Sequence, residues 1–112
     1  MERRIPVPRY LFRGPAKLFQ AQGAVAVDIT VLNISTNGCR VRGLGPVAEE
    51  EVCELAITWQ GKEFRQEAKV KWKNENGDGG LEFLRMDERG LAVLSELFST
   101  LRLEPPRPRP AK

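Results

Sequence analysis

The chain has 112 residues, of which 41% are hydrophobic and 29% are charged, as in an ordinary soluble globule of one domain with a modest core. The net charge is +3, but residues 1–20 carry +4, residues 102–112 carry +3 and the body between them carries −4. An acidic body is a poor general nucleic-acid binder, because such binding needs a basic face. We therefore expect no nucleic-acid partner, and a local anion site near the N-terminus.

Neither a membrane segment nor a secretory signal is evident. No apolar run approaches the ~20 residues of a membrane helix, and the basic N-terminus lacks an apolar stretch. We therefore expect a cytoplasmic protein with no membrane insertion. Cys39 and Cys53 are the only cysteines and histidine is absent, which favours neither a metal site nor a disulfide framework. Both cysteines fall at inward strand positions and are expected to be buried free thiols.

The chain divides into three predicted parts. Residues 1–14 form an arginine-rich segment that is expected to be mobile, and residues 15–101 form the folded body. Residues 102–112 form a tail with four prolines, which forbid a continued helix and predict disorder.

Period-two alternation of apolar residues predicts about six short strands in the body, separated by turn signals. The first begins at Ala16 and Leu18, and the second runs over residues 25–31. The others lie around residues 39–42, 53–59, 64–73 and 81–83. Short antiparallel strands of this kind favour a small barrel, which closes to hide its edges.

The longest predicted strand shows the strand period of two most clearly, and the C-terminal segment shows the helical period of about 3.6 residues. One face of the strand holds Phe64, Ala68, Val70 and Trp72, predicted to point inward, and the charged row from Arg65 to Lys73 is predicted to be solvated. Asp87 is a good N-cap. After it, a helical stripe is formed by Leu91, Leu94, Leu97, Phe98 and Leu101. The predicted fold class is all-β with a C-terminal helix, as a six-stranded antiparallel barrel.

The segment Asn33–Gly38, Asn-Ile-Ser-Thr-Asn-Gly, brings an amide, a hydroxyl and bare backbone together at a strand end. One interpretation is structural, since Asn37-Gly38 is a preferred pair for a type I′ turn with two positive φ angles. Asn33 and Ser35 would then bond the turn backbone. The other interpretation is that these groups bind a ligand.

The N-terminal segment offers mobile guanidinium groups at Arg3, Arg4, Arg9 and Arg13. A solvated basic terminus is a common alternative. However, the apolar residues 10–12 would be costly to expose, so we expect them to dock on the barrel and hold Arg9 in place. The planar fork of arginine meets phosphate oxygens or the O6/N7 edge of guanine bidentately.

These two features together resemble the PilZ domain, the bacterial receptor module for cyclic di-GMP. That family is marked by Arg-x-x-x-Arg followed by Asp/Asn-x-Ser-x-x-Gly, and Asn33–Gly38 matches the second motif at every defined position. Val70-Lys-Trp72 and Gly80-Leu-Glu-Phe83 are similar to later landmarks of the family. The resemblance covers about residues 2–101 and implies a six-stranded barrel with a C-terminal helix.

The first motif is irregular here. Arg9 lies at the expected distance from the first strand. Arg4 lies one residue too far upstream of Arg9 for the motif. Arg13 has the correct spacing from Arg9 but lies very close to the first strand. By resemblance, Arg4 and Arg9 engage phosphate and guanine edges, with Arg3 and Arg13 as weaker candidates. The resemblance gives Asn33 and Ser35 polar contacts to the ligand. Gly38 would keep the turn open.

Two functions follow as hypotheses. The first is a single-domain receptor that binds cyclic di-GMP and relays the signal by contact with an unidentified effector protein. The second is a PilZ-like adaptor that binds no nucleotide and acts only through protein contacts, which the irregular arginine spacing favours. An enzyme is not expected, because no nucleophile–base pair, carboxylate pair or metal set is evident, and no cofactor is expected.

Overall fold

The computed structural model describes residues 8–20 and 26–103. This part of the chain contains seven strands and one helix. They are β1 (Tyr10–Gln20), β2 (Ala26–Ile34), β3 (Gly38–Arg42), β4 (Val52–Trp59), β5 (Lys62–Lys73), β6 (Gly79–Phe83), α1 (Glu88–Ser99) and β7 (Arg102–Leu103).

The strands form one antiparallel sheet in the order β2-β3-β6-β5-β4-β1-β7, and β1 also pairs with β2. This additional pairing closes six strands into the predicted barrel, which removes the open edges of the sheet. The short strand β7 was not predicted. It pairs with the start of β1, through Tyr10 opposite Leu103 and Leu11 opposite Arg102.

Two predicted boundaries differ from the structure. The barrel was expected to start at residue 15, but β1 begins at Tyr10, because Tyr10 and Leu11 find partners on β2 and β7. The tail was expected to start at residue 102, but Arg102 and Leu103 form β7. Arg3, Arg4 and residues 104–112 lie outside the described residues.

The barrel interior is filled by the alternating apolar side chains of its strands. Leu18, Val31 and Val70 are fully buried, and Leu94 and Leu97 of α1 join the same core. Helix α1 begins as predicted, since the Asp87 carboxylate accepts a hydrogen bond from the Gly90 N–H at 2.8 Å. Leu91 was predicted to be on the buried stripe but is 44% exposed, so burial begins one turn later.

Both cysteines are buried free thiols, as predicted. Burial raises the pKa of the Cys39 thiol to about 12, although the Arg9 charge opposes the shift, and it raises the pKa of the Cys53 thiol to about 11. Both thiols are therefore protonated at neutral pH and are poor nucleophiles.

Candidate functional site

Three register shifts adjoin one row of paired residues, Leu11–Asn33–Arg40–Gly80–Trp72, and determine which side chains meet there. One extra residue, Leu32 on β2, lies between the pairs Val31–Val41 and Asn33–Arg40. Another, Lys71 on β5, lies between pairs made by Val70 and Trp72. The third separates Leu11 from Gly14 on β1. A bulge reverses the alternation of side chains beyond it and often re-aims them at functional sites.

The Leu32 bulge decides where Asn33 points. Strict alternation would put Asn33 on the same face as the fully buried Val31, but after the bulge it is Ile34 that is fully buried. The Asn33 side chain instead reaches Arg9, whose Nη1 donates a hydrogen bond to Asn33 Oδ1 at 3.3 Å. The structure thus brings together two of the predicted site residues. Arg9 precedes β1 and Asn33 lies on β2, the two strands whose pairing closes the barrel.

Ser35 organises the hairpin between β2 and β3. Its N–H donates to the Gly38 carbonyl oxygen at 2.8 Å, while its hydroxyl donates to the same oxygen at 3.3 Å and accepts from the Asn37 N–H at 3.2 Å. Ser35 therefore bonds the turn backbone, as the structural interpretation expects. The expected type I′ turn is wrong, because neither Asn37 nor Gly38 has positive φ among the described residues. The tip is formed by Thr36 and Asn37.

Gly38 is required by close packing of strands. It is buried at the start of β3 and pairs with Glu82 on β6. A Cβ atom placed on Gly38 would overlap the backbone carbonyl oxygen of Leu81, which no side-chain rotation relieves. Glycine at this position thus lets β3 approach β6, so that the hairpin lies against the end of β6, where the Phe83 N–H donates to the Asn37 carbonyl oxygen at 2.8 Å.

The predicted residues border a cleft of about 180 Å³ that spans the hairpin, β3, β5 and β6. Its lining contains the side chains or backbone of Arg9, Ser35, Asn37, Gly38, Cys39, Arg40, Lys71, Trp72, Gly80, Leu81 and Glu82. Three basic side chains and one carboxylate are among these, so the cleft carries a net positive charge. Asn33 is not on the lining and acts on the cleft through its bond to Arg9.

Arg13 lies apart from this arrangement. It is exposed on β1 and does not line the cleft. Arg9, directly before β1, is therefore the one predicted arginine among the described residues that the structure places at the site. The structure does not describe Arg3 or Arg4.

Trp72 was predicted to point inward with Val70, which is wrong. The Lys71 bulge turns it outward, where it is 42% exposed. The indole fills the space over Gly80, since a Cβ atom on Gly80 would overlap it. A sequence signal for this arrangement existed in the paired glycines 79 and 80, which leave room for a large neighbour on the adjacent strand.

The basic residues of the cleft beyond Arg9 were also missed. Lys71 was assigned to a solvated row, but it lines the cleft, with its Nζ 3.8 Å from Glu82 Oε2. Arg40 lines the cleft from β3. Neither position is marked by local sequence, because both depend on how β3, β5 and β6 pair.

The closed antiparallel barrel, followed by its helix, defines an all-β domain of the small-barrel class. The chain belongs to the PilZ domain family, whose model matches residues 3–99. Members of this family are generally receptors for cyclic di-GMP.

A solved structure has the same fold. The PilZ domain of CeSA from a cellulose-synthesizing bacterium superposes with a TM-score of 0.68 at 17% sequence identity, and the match covers 81% of this chain and 94% of that chain. No curated protein matches the chain in sequence.

Two general features of the described residues bear on the site. Helix α1 is too short to cross a membrane, and no helix in the described part of the chain is long and apolar enough to do so. Within the same residues, no three Cys, Asp or Glu side chains are grouped so that they could hold a metal ion.

Proposed function

We propose that this domain is a receptor for cyclic di-GMP and that it relays binding to an effector protein by a change at its surface. The observation that carries the proposal is the Arg9–Asn33 hydrogen bond at the border of a cationic cleft. It holds a guanidinium fork where an anionic nucleotide would enter. The family of the chain supports the identity of the ligand.

The chemistry of the cleft suits a guanine dinucleotide. The cleft has a net positive charge, which complements two phosphodiester groups. The exposed Trp72 indole offers a face on which a guanine base can stack.

A route for the relay begins at Arg9. The next residue, Tyr10, starts β1, pairs with Leu103 of β7 and stacks on Phe98 of α1. A ligand that fixes Arg9 therefore also restricts the start of β1 and, through it, the C-terminal elements. We propose that this end of the domain presents the altered surface that an effector protein recognises.

Calorimetric titration with cyclic di-GMP tests the receptor. The wild-type protein should bind, and Arg9→Gln should weaken binding by about ten- to a hundredfold, as expected for the loss of one bidentate arginine contact. Arg13→Gln is the matched control, because it removes the same charge from β1 at a side chain that does not line the cleft. Its affinity should remain within about threefold of wild type, since exposed charges are screened.

Absence of binding by the wild type at about 100 µM ligand, well above the range of useful signalling affinities, would refute the receptor. The adaptor without nucleotide would then be the function to pursue. Equal losses in Arg9→Gln and Arg13→Gln would show that binding is nonspecific attraction to a basic terminus.

Hydrogen exchange tests the relay. Amides of Leu101, Arg102 and Leu103 should exchange more slowly when cyclic di-GMP is bound, and Tyr10→Ala should remove this protection while leaving Arg9 present. Protection confined to β2, β3 and β6 would contradict the proposed route, even if binding itself is tight.

A further inference from the structure

Arg40 has an unusual environment for an arginine on a barrel strand. It lies in the middle of β3, opposite Asn33 of β2 on one side and Gly80 of β6 on the other. Arg40 is one of the residues that line the cleft, together with Arg9 and Trp72. Unlike Arg9, which precedes the first strand, Arg40 is anchored on both sides by neighbouring strands.

The Nε atom of Arg40 is buried and has no hydrogen-bond acceptor within the described part of the chain. It is the one buried side-chain nitrogen or oxygen in that part to lack a partner. Buried donors are almost always satisfied, so an exception calls for an explanation such as a functional role. An arginine is always charged and cannot escape the cost by losing its proton.

Other arginines of the barrel have hydrogen-bond acceptors for their side-chain N–H groups. Arg42, also on β3, donates from Nε to Asp78 Oδ1 at 3.2 Å. Arg65 on β5 donates to two carboxylates, those of Glu54 and Glu63. Each has an acidic partner, whereas Arg40 has no ion pair with any described residue.

The carboxylate on the described lining of the cleft does not form an ion pair with Arg40. Glu82 is the acidic residue on the described lining, and its Oε2 lies 3.8 Å from the Lys71 Nζ. Arg9 in turn is bonded to Asn33. The cleft thus contains an arginine for which the protein's described residues supply no anion.

We infer that Arg40 is a ligand-binding residue of the cleft and that it takes a phosphodiester group of the nucleotide. This inference rests on the proposed function. A phosphate is preferred to a guanine edge because Arg40 lacks a counter-charge, and a phosphate supplies both charge and acceptor oxygens. Trp72 beside it is suited to the base.

Because the Nε atom is buried, binding includes a rotation of the Arg40 side chain that turns its Nε–Nη edge toward the phosphate. The guanidinium group of Arg9 borders the same cleft and would contact the ligand as well. Two arginines, one on β3 and one before β1, then both bind the anion. The second arginine comes from a strand and not from the N-terminal motif.

The variants Arg40→Gln and Arg40→Lys test this role, with Arg42→Gln as the control on the same strand. In calorimetry with cyclic di-GMP, Arg40→Gln should weaken binding about ten- to a hundredfold, in the range of one lost charge-assisted bidentate contact. Arg40→Lys should fall between this and wild type, because it keeps the charge and loses the fork. Arg42→Gln should remain within about threefold of wild type.

Thermal unfolding without ligand separates binding from structure. Arg40→Gln should unfold at the wild-type temperature or above it, since the change removes a buried donor that has no acceptor. A purely structural role predicts a lower unfolding temperature with unchanged affinity, and that result would overturn the inference.

A measurement on the unaltered protein guards against a variant that fails to fold. The Arg40 ¹⁵Nε–¹H resonance should shift downfield on addition of cyclic di-GMP, while that of Arg42 should stay in place. An unmoved Arg40 resonance at saturation, or unchanged affinity in Arg40→Gln, refutes the role of Arg40 and leaves the receptor intact. If the wild-type protein binds no nucleotide, both proposals fail together.

Discussion

Tyr10 and Phe98 stack face to face, with ring centroids 4.2 Å apart and ring planes within 9° of parallel. The contact joins the first residue of β1 to the last full turn of α1. It also fixes the backbone immediately after Arg9, which carries the hydrogen bond to Asn33. The candidate site and the C-terminal helix are thus connected by one aromatic pair.

The Tyr10–Phe98 stack should contribute to stability. Tyr10→Leu and Phe98→Leu should each lower the free energy of unfolding by roughly 1–2 kcal/mol, of which about 0.5–1.5 kcal/mol is the specific ring–ring term. A double-mutant cycle by urea unfolding measures that term. Tyr10→Phe preserves the stack and is the control. Strict additivity of the two single changes would mean that the rings contribute only through burial.

Gly38→Ala should destabilise the barrel. The added Cβ atom would overlap the Leu81 carbonyl oxygen, and because backbone cannot rotate away, β3 and β6 must separate. We expect a loss of about 2–3 kcal/mol, seen as a fall of roughly 10 °C or more in the unfolding temperature.

Gly61→Asn serves as the control for Gly38→Ala. Gly61 has φ +77° and no atom within 4 Å of an added Cβ, and asparagine tolerates this left-handed conformation. Its cost should stay below about 1 kcal/mol. A Gly38→Ala protein as stable as Gly61→Asn would show that the two strands have space to spare.

Trp72→Ala should affect the ligand far more than the fold. The side chain is 42% exposed, so its removal should cost little stability. Loss of stacking on one base should cost about 1–3 kcal/mol of binding, while Trp72→Phe should retain most of the affinity. Since the chain has two tryptophans, a Trp59→Phe background makes Trp72 the sole indole reporter. Its fluorescence should change on addition of cyclic di-GMP, and an unchanged spectrum at saturation would place the base elsewhere.

Stability should fall in alkaline solution because of Cys39. Burial raises the pKa of this thiol from its ordinary value of 9.0 to about 12. The folded state therefore holds the proton more tightly than the unfolded state, and the stabilisation is complete below pH 9 and lost as pH rises toward 12.

Over that interval the single thiol should account for a loss of up to ~1.4 kcal/mol per pH unit. Urea unfolding between pH 8 and about 10.5 should show a shallower decline for Cys39→Ala than for wild type. Cys53→Ala is the comparison, because burial also raises the pKa of the Cys53 thiol, to about 11. Parallel curves for wild type and Cys39→Ala would contradict the burial argument.

Much of the fold could be predicted because its signals are local. The alternation in the six barrel strands, the N-cap at Asp87 and the burial of the two cysteines each depend on a few neighbouring residues. The strand β7 escaped prediction because two residues carry no periodicity. It exists only because β1 extends back to Tyr10 and offers an edge.

The candidate site was predictable only in part. The residues Arg9, Asn33, Ser35 and Gly38 stand out in the sequence, but Arg40, Lys71 and Trp72 come from strands whose alternation gave no reason to place them in a cleft. Trp72 was assigned to the wrong face because a bulge at Lys71 reverses the alternation.

The sequence by itself determined the closed barrel with its helix, because strand and helix periods are written in adjacent residues. Only the tertiary structure decided which basic side chains face one another. An inserted residue such as Leu32 or Lys71 reverses every side chain after it. Whether a strand bulges at that residue depends on its pairing with strands distant in the chain, which no local pattern records.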